Sequence, residues 1–174
     1  PGYLANTIDP AALGAKAVEV PLSEGNHFAL DVTAFEKKLT SKTKMVILTY
    51  PNNPTGTVYS PNEIRALCRF IVEHDLVLLC DCAFDDYIFD GKELLWPATV
   101  PGMWERTISV FTVSKGWGLC GLRVGYMVAD TPILDAILGR VPALMGCVSN
   151  IAQAGAAAAL RDTTLLRQYH NRLA

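Results

Sequence analysis

Three short stretches of this chain gather side chains able to bind or attack a small molecule. Pro51-Asn52-Asn53-Pro54-Thr55-Gly56 is a rigid turn offering amide side chains, and Asp81 ends an apolar run. Thr112-Val113-Ser114-Lys115 then brings two hydroxyls and an amine. Each residue has a plainer role when taken alone: turn former, helix cap, solvated surface lysine. Their shared placement argues for more. Asn53, Asp81 and Ser114-Lys115 each follow directly on an apolar run, and in open parallel α/β sheets the ligand crevice lies beyond the carboxyl ends of the strands. An amide, a carboxylate, hydroxyls and an amine would thus converge on one edge of a sheet.

The elements that must position them are read from the same runs: Ala17 to Pro21, Met45 to Tyr50, Leu76 to Asp81, Thr107 to Thr112 and Arg123 to Ala129. They are continuous rather than alternating, which predicts strands covered on both faces. The steps from Met45 to Leu76 and from Leu76 to Thr107 are equal, each about the ~30 residues that a strand, crossover and next parallel strand require. An open α/β sheet is expected. Ser60-Pro61-Asn62-Glu63 combines an N-cap Ser, Pro at the first helical position and Glu at the third, the marks of a helix start. Ile64, Leu67, Cys68, Ile71 and Val72 then fall at helical spacing, giving that helix a face for the sheet. Further helices are expected over Val32 to Leu39, from Thr131-Pro132, from Asn150 to Leu160 and from Asp162 to the chain end. Phe89 to Arg106, with Gly91, Pro97, Pro101 and Gly102, reads as an irregular crossover.

Composition narrows the function classes. The 174 residues carry a formal charge of -2 and no Lys/Arg block, so there is no electrostatic footprint for nucleic acid. No apolar run approaches the ~18 residues of a membrane span, and the start lacks the pattern of a signal peptide. Five cysteines (Cys68, Cys80, Cys82, Cys120, Cys147) without C-x-x-C spacing read as buried reduced thiols of a cytoplasmic protein. His27, His74 and His170 are scattered, so no metal is expected. Gly116-Trp117-Gly118-Leu119-Cys120-Gly121 matches the dinucleotide fingerprint G-x-G-x-x-G, but a strand-like run follows where that motif requires a helix to receive the pyrophosphate. It is therefore read as a loop bending back into another strand.

Taken together, Pro51 to Gly56, Asp81-x-Ala83-Phe84, Ser114-Lys115-Gly116 and Gly121-Leu122-Arg123-Val124-Gly125-Tyr126 resemble, in order and spacing, the class I/II aminotransferases. These are pyridoxal-phosphate enzymes of fold type I. The resemblance implies a three-layer α/β/α fold with a mostly parallel sheet, and pyridoxal 5'-phosphate as cofactor. Lys115 would form the Schiff base and shuttle the substrate's Cα proton, its amine serving as nucleophile and base. Asp81 would pair with the pyridine nitrogen and Asn53 with the ring's 3-oxygen. Arg123 would grip the phosphate as a bidentate fork, helped by the hydroxyls of Thr112 and Ser114. Tyr3 lies where the family often places an aromatic that stacks on the ring; a plain core tyrosine is the alternative. Amino acid and 2-oxo acid substrates and a homodimer are implied as well.

The pattern also departs from the family's. Phe84 stands where a Tyr hydroxyl usually donates to the 3-oxygen, and Cys82 replaces the common acidic residue after the Asp. Both leave open another outcome on the same cofactor: β-elimination, decarboxylation or oxidative deamination. No small-residue phosphate loop precedes these motifs, and no substrate-clamping small domain follows. Residues 1–174 are therefore expected to be the central portion of the cofactor-binding large domain, without the N-terminal phosphate-loop segment and the small C-terminal domain. A noncatalytic fragment or paralogue is the reading from a different class.

Overall fold

The structure, a computed structural model, describes residues 1–141, 143 and 146–172. Its centre is a sheet built from β1 (Met45–Thr49), β2 (Val77–Asp81), β3 (Thr107–Thr112) and β4 (Gly125–Val128), in that spatial order. The first three are parallel and β4 runs antiparallel to β3. Sequential parallel neighbours demand crossovers. The first of these is α3 (Pro61–Glu73), and the second is the irregular segment before β3, whose regular parts are short 3-10 turns at Pro97–Thr99 and Trp104–Arg106. This is the mixed α/β class with a mostly parallel sheet that the sequence predicts.

Helix α3 begins where the capping motif places it. The Ser60 side chain accepts from the Glu63 amide at 3.3 Å while the Glu63 carboxylate accepts from the Ser60 amide at 2.8 Å. Two otherwise orphaned donors are satisfied reciprocally. The other Glu63 oxygen accepts from the Leu30 amide at 2.8 Å, tying α3 to the segment entering α2 (Val32–Glu36). Ile64, Leu67, Cys68, Phe70 and Ile71 are buried, and they pack with Val46, Leu48, Leu78 and Cys80 from one face of the sheet. On the opposite face Ile47, Leu79, Ile108 and Val110 are only half-buried. The strands thus bury one face more deeply than continuous apolar runs lead one to expect.

Several expected elements shift. The Ala17 to Pro21 run forms no strand; Val18 is 50% exposed, and Pro21 has no amide to donate to a ladder. Helix α1 (Ala5–Ala12) forms instead just upstream, although Pro10 lies inside it. Helix α2 stops at Glu36, three residues short of Leu39. The later helices are α4 (Thr131–Leu138), α5 (Asn150–Arg161) and α6 (Thr163–His170). They are capped by Asp130, Ser149 and Asp162, whose side chains accept the amides of Thr131, Ala152 and Thr164. The last two residues of the expected terminal helix, Leu173 and Ala174, lie outside the described residues. All five cysteines are free, but only Cys68, Cys80 and Cys82 are buried. Cys120 and Cys147 are exposed, because a turn at the sheet edge and a stretch outside helix and strand carry them rather than a strand or a packed helix face.

Candidate active site

Register brings the chemistry to one edge. Thr49, Asp81 and Val110 lie side by side across β1, β2 and β3, so the segments after these strands emerge together at the carboxyl end of the sheet. The turn after β1 is closed on itself by Gly56 N–H to the Asn52 carbonyl and Asn52 N–H to the Thr57 carbonyl, both at 2.9 Å. It is anchored by Tyr50 and Tyr59, whose rings stack at 5.7 Å and whose exposures are 0% and 1%. The peptide bonds before Pro51 and Pro54 are cis. Asn52 points inward, accepting from the Thr55 hydroxyl at 2.9 Å. The Asn53 amide has no hydrogen-bond partner among the described residues.

Asp81 ends β2 half-buried. One oxygen, Oδ1, accepts from the Ala83 amide at 3.1 Å. Burial pushes its carboxyl above the usual range, against the opposing pull of that amide and of Thr49. No cation partners it among the described residues. A partly desolvated carboxylate with an oxygen to spare suits a cationic N–H donor. Behind it, Cys82 turns into the core with no exposed surface, its Sγ 3.6 Å from that of Cys80. The position after Asp81 is therefore filled by a buried thiol that cannot reach a ligand.

Past β3, Thr112 Oγ1 lies 2.8 Å from Ser114 Oγ and accepts from the Ser114 amide at 3.1 Å. The two hydroxyls form one polar patch beside Lys115. Lys115 is exposed, and its Nζ sits 5.5 Å from the centre of the Phe84 ring, a cation–π arrangement. Arg123 adopts a left-handed backbone, φ 55°. Its guanidinium donates to the Cys120 carbonyl at 3.0 Å and joins no salt bridge among the described residues. A short 3-10 turn, Cys120–Leu122, leads straight into β4, so the glycines at 116–121 do form a loop returning to a strand. Tyr3 is 46% exposed and belongs to no aromatic pair among the described residues. Helix α1 is nevertheless held at this end of the sheet, since Asn6 Nδ2 donates to Thr49 Oγ1 at 2.9 Å.

These residues are of the kinds that could hold pyridoxal 5'-phosphate: among the described residues, an amine in no salt bridge, a strand-end carboxylate without a cation, an unpartnered amide, an Arg and a pair of hydroxyls. The structure adds groups that motif reading passed over. Tyr87 donates its hydroxyl to the Lys115 carbonyl at 2.8 Å. Asp85 is pushed up to about 7 by burial, with Asp86 adding to the rise. Trp117 donates its indole N–H to the Ala159 carbonyl at 3.1 Å, fastening the loop after Lys115 to α5. Tyr87 lies six residues beyond Asp81, and only that proximity to the motif could have drawn attention to it. Among the described residues no cluster of His, Cys, Asp and Glu could hold a metal, and no helix is long and apolar enough to cross a membrane.

Comparisons with known proteins agree with this geometry. The chain is 37% identical over 149 residues to aromatic-amino-acid aminotransferase 2 of Thermococcus litoralis, covering 86% of this chain and 38% of that protein. It is 37% identical over 147 residues to an aspartate aminotransferase of Musicola paradisiaca, covering 84% and 37%. The chain thus spans well under half the length of these relatives. Its structure superposes on the crystal structure of an aromatic aminotransferase from Pyrococcus horikoshii with a TM-score of 0.94 at 31% identity, over 98% of this chain and 46% of that one. The family described as aminotransferase class I and II matches residues 1–174, and the chain belongs to that family.

Proposed function

We propose that this chain is the cofactor-binding centre of a pyridoxal-phosphate aminotransferase that moves an amino group between an amino acid and a 2-oxo acid. The observation that carries the reading is the convergence of Asp81 and the Ser114-Lys115 turn at the carboxyl ends of adjacent strands β2 and β3. When bound, the cofactor supplies an aldehyde that captures the substrate's amino group and a ring that takes up electrons from Cα. The chain's own residues supply the rest. Lys115 Nζ would accept the proton leaving Cα and return it, a task for an amine that joins no salt bridge among the described residues. Asp81 would pair with the ring nitrogen and keep it protonated, and Asn53 would donate to the 3-oxygen. Arg123, Thr112 and Ser114 would hold the phosphate, and Tyr3, carried by the segment that α1 ties to this edge, would stack on the ring.

In this reading residues 1–174 form the middle of the large domain. The chain covers 38% and 37% of two relatives, as part of a longer protein would. Other parts of a full-length protein would supply the phosphate loop and the substrate-clamping domain. A second subunit and a cytoplasmic setting complete the proposal. Borohydride reduction of the full-length holoprotein followed by peptide mapping should place the cofactor on Lys115. A label on any other lysine overturns the assignment. Phe84 favours one second reading, since a ring without a hydroxyl leaves the 3-oxygen one donor short: elimination, decarboxylation or oxidative deamination of the amino acid. Turnover that proceeds without a 2-oxo acid acceptor would establish it in place of transamination.

A further inference from the structure

The loop after β2 touches the lysine at both of its ends. Phe84 lies under Nζ, its ring centre 5.5 Å away. Three residues on, the Tyr87 hydroxyl donates to the Lys115 carbonyl at 2.8 Å. That carbonyl is also the closing acceptor of the turn that follows, taking the Gly118 N–H at 2.9 Å. Gly118, the last residue of that turn, sits at φ +64°, a left-handed backbone that glycine adopts without strain. Both lone pairs of the Lys115 oxygen are therefore engaged, one by the turn itself and one by a residue 28 positions away in sequence. The rings of Phe84 and Tyr87 lie 6.2 Å apart, and Tyr87 packs in turn on His170 of α6 at 5.3 Å. The hydroxyl is held in place by this packing, so it is available for its bond without a search through rotamers.

We propose that Tyr87 is a positioning residue for Lys115, its hydroxyl pinning the lysine's carbonyl to the same loop that presents Phe84 to the amine. The inference rests on the reading of Lys115 as the cofactor lysine. A flexible four-carbon side chain can return a proton to one atom only if its backbone stays still, and a misplacement of about 1 Å is enough to cost of order a hundredfold in rate. The turn alone fixes residues 115–118 relative to one another. Tyr87 fixes them relative to β2, and hence to Asp81.

The test compares Tyr87→Phe, which keeps the packed ring, with Tyr87→Leu, which removes ring and hydroxyl together, in the full-length protein. Amide hydrogen exchange is followed in the cofactor-free form. Tyr87→Phe should speed exchange at residues 115–118 roughly fivefold, the effect of losing one ordinary hydrogen bond, while amides in β1 to β3 keep their rates. In the holoprotein kcat should fall at least fivefold with KM within a factor of two. Exchange at 115–118 that is unchanged in Tyr87→Phe and faster only in Tyr87→Leu overturns the proposal, because packing and not the hydroxyl would then hold the turn. A uniform increase across the strands overturns it too, by showing a general role in stability. Borohydride labelling of the wild-type protein separates the two levels. A label away from Lys115 refutes the functional reading, whereas a label on Lys115 with unchanged exchange in Tyr87→Phe refutes the pin alone.

Discussion

Gly116, the buried neighbour of Lys115, has no room for a side chain. A Cβ placed there would stand 2.7 Å from Asp86 Cβ and 2.5 Å from its Cγ, and would also collide with Oδ2. Ordinary carbon–carbon contact is about 3.5–4.0 Å. Rotating the Asp86 carboxylate away relieves the Cγ and Oδ2 overlaps but not the one with Cβ, which the backbone fixes. Gly116→Ala must therefore push the two loops apart by about 1 Å. Overpacking of this kind costs about 1–3 kcal/mol. Removing the obstacle with Asp86→Gly should make the alanine tolerable, so a double-mutant cycle in urea unfolding of the full-length protein should return a coupling of about 1–2 kcal/mol. The same displacement moves Lys115, and kcat/KM should fall up to about a hundredfold in Gly116→Ala and recover in the double variant. If Gly116→Ala costs as much with Asp86 absent as with it present, the contact is not what keeps residue 116 a glycine.

Asp85 gives the fold a pH dependence. Its carboxyl is pushed up to about 7 by burial and then by Asp86, so between about pH 4 and pH 7 the folded protein holds a proton that the unfolded chain has released. Stability supplied by this group is present at low pH and lost as pH rises towards 7. Asp85→Asn should remove that slope and raise stability at pH 8 by about 2 kcal/mol, once solvent screening of a partly exposed group is allowed for. Denaturation midpoints that respond identically to pH in both proteins would contradict this. At the start of α3, Ser60→Ala should cost about 1 kcal/mol, while Glu63→Ala should cost more, about 2 kcal/mol, because it also strands the buried Leu30 amide; urea midpoints rank the two. In the holoprotein, Phe84→Tyr should move the pH midpoint of the bound cofactor's visible absorbance down by about one unit. The reason is that a new donor to an anionic oxygen is worth about 1.5–3 kcal/mol. A spectrophotometric titration that shows no difference removes the idea that Phe84 leaves the 3-oxygen short of a donor.

Local chemistry accounts for what the sequence by itself determined. Strand β3 spans the expected residues, and β1 and β2 end or begin within one residue of them, because runs of β-branched and aliphatic residues between polar breaks need no long-range information to be recognised. The start of α3 was legible for the same reason: Ser60, Pro61 and Glu63 satisfy one another within a single turn. Asn53, Asp81 and Lys115 lie at or just after the carboxyl ends of parallel strands, which necessarily lie at one edge, and the motifs around them and around Arg123, in their order and spacing, were enough to show the resemblance to a family.

Tertiary structure decided the rest. Ala17 to Pro21 has a strand's composition but pairs with no strand among the described residues, and pairing is a property of two segments rather than one. Cys120 and Cys147 looked like their buried counterparts until the fold assigned one to a turn and the other to a linker. The bond from Tyr87 to Lys115, the clash that confines residue 116 to glycine and the raised carboxyl of Asp85 all join residues that lie far apart in the chain or depend on burial. They come into being only when β2 and β3 lie side by side and their two loops are forced into contact. Periodicity and capping report on neighbours within a turn or two of chain, whereas the surroundings of Lys115 are set by which loops the sheet brings together.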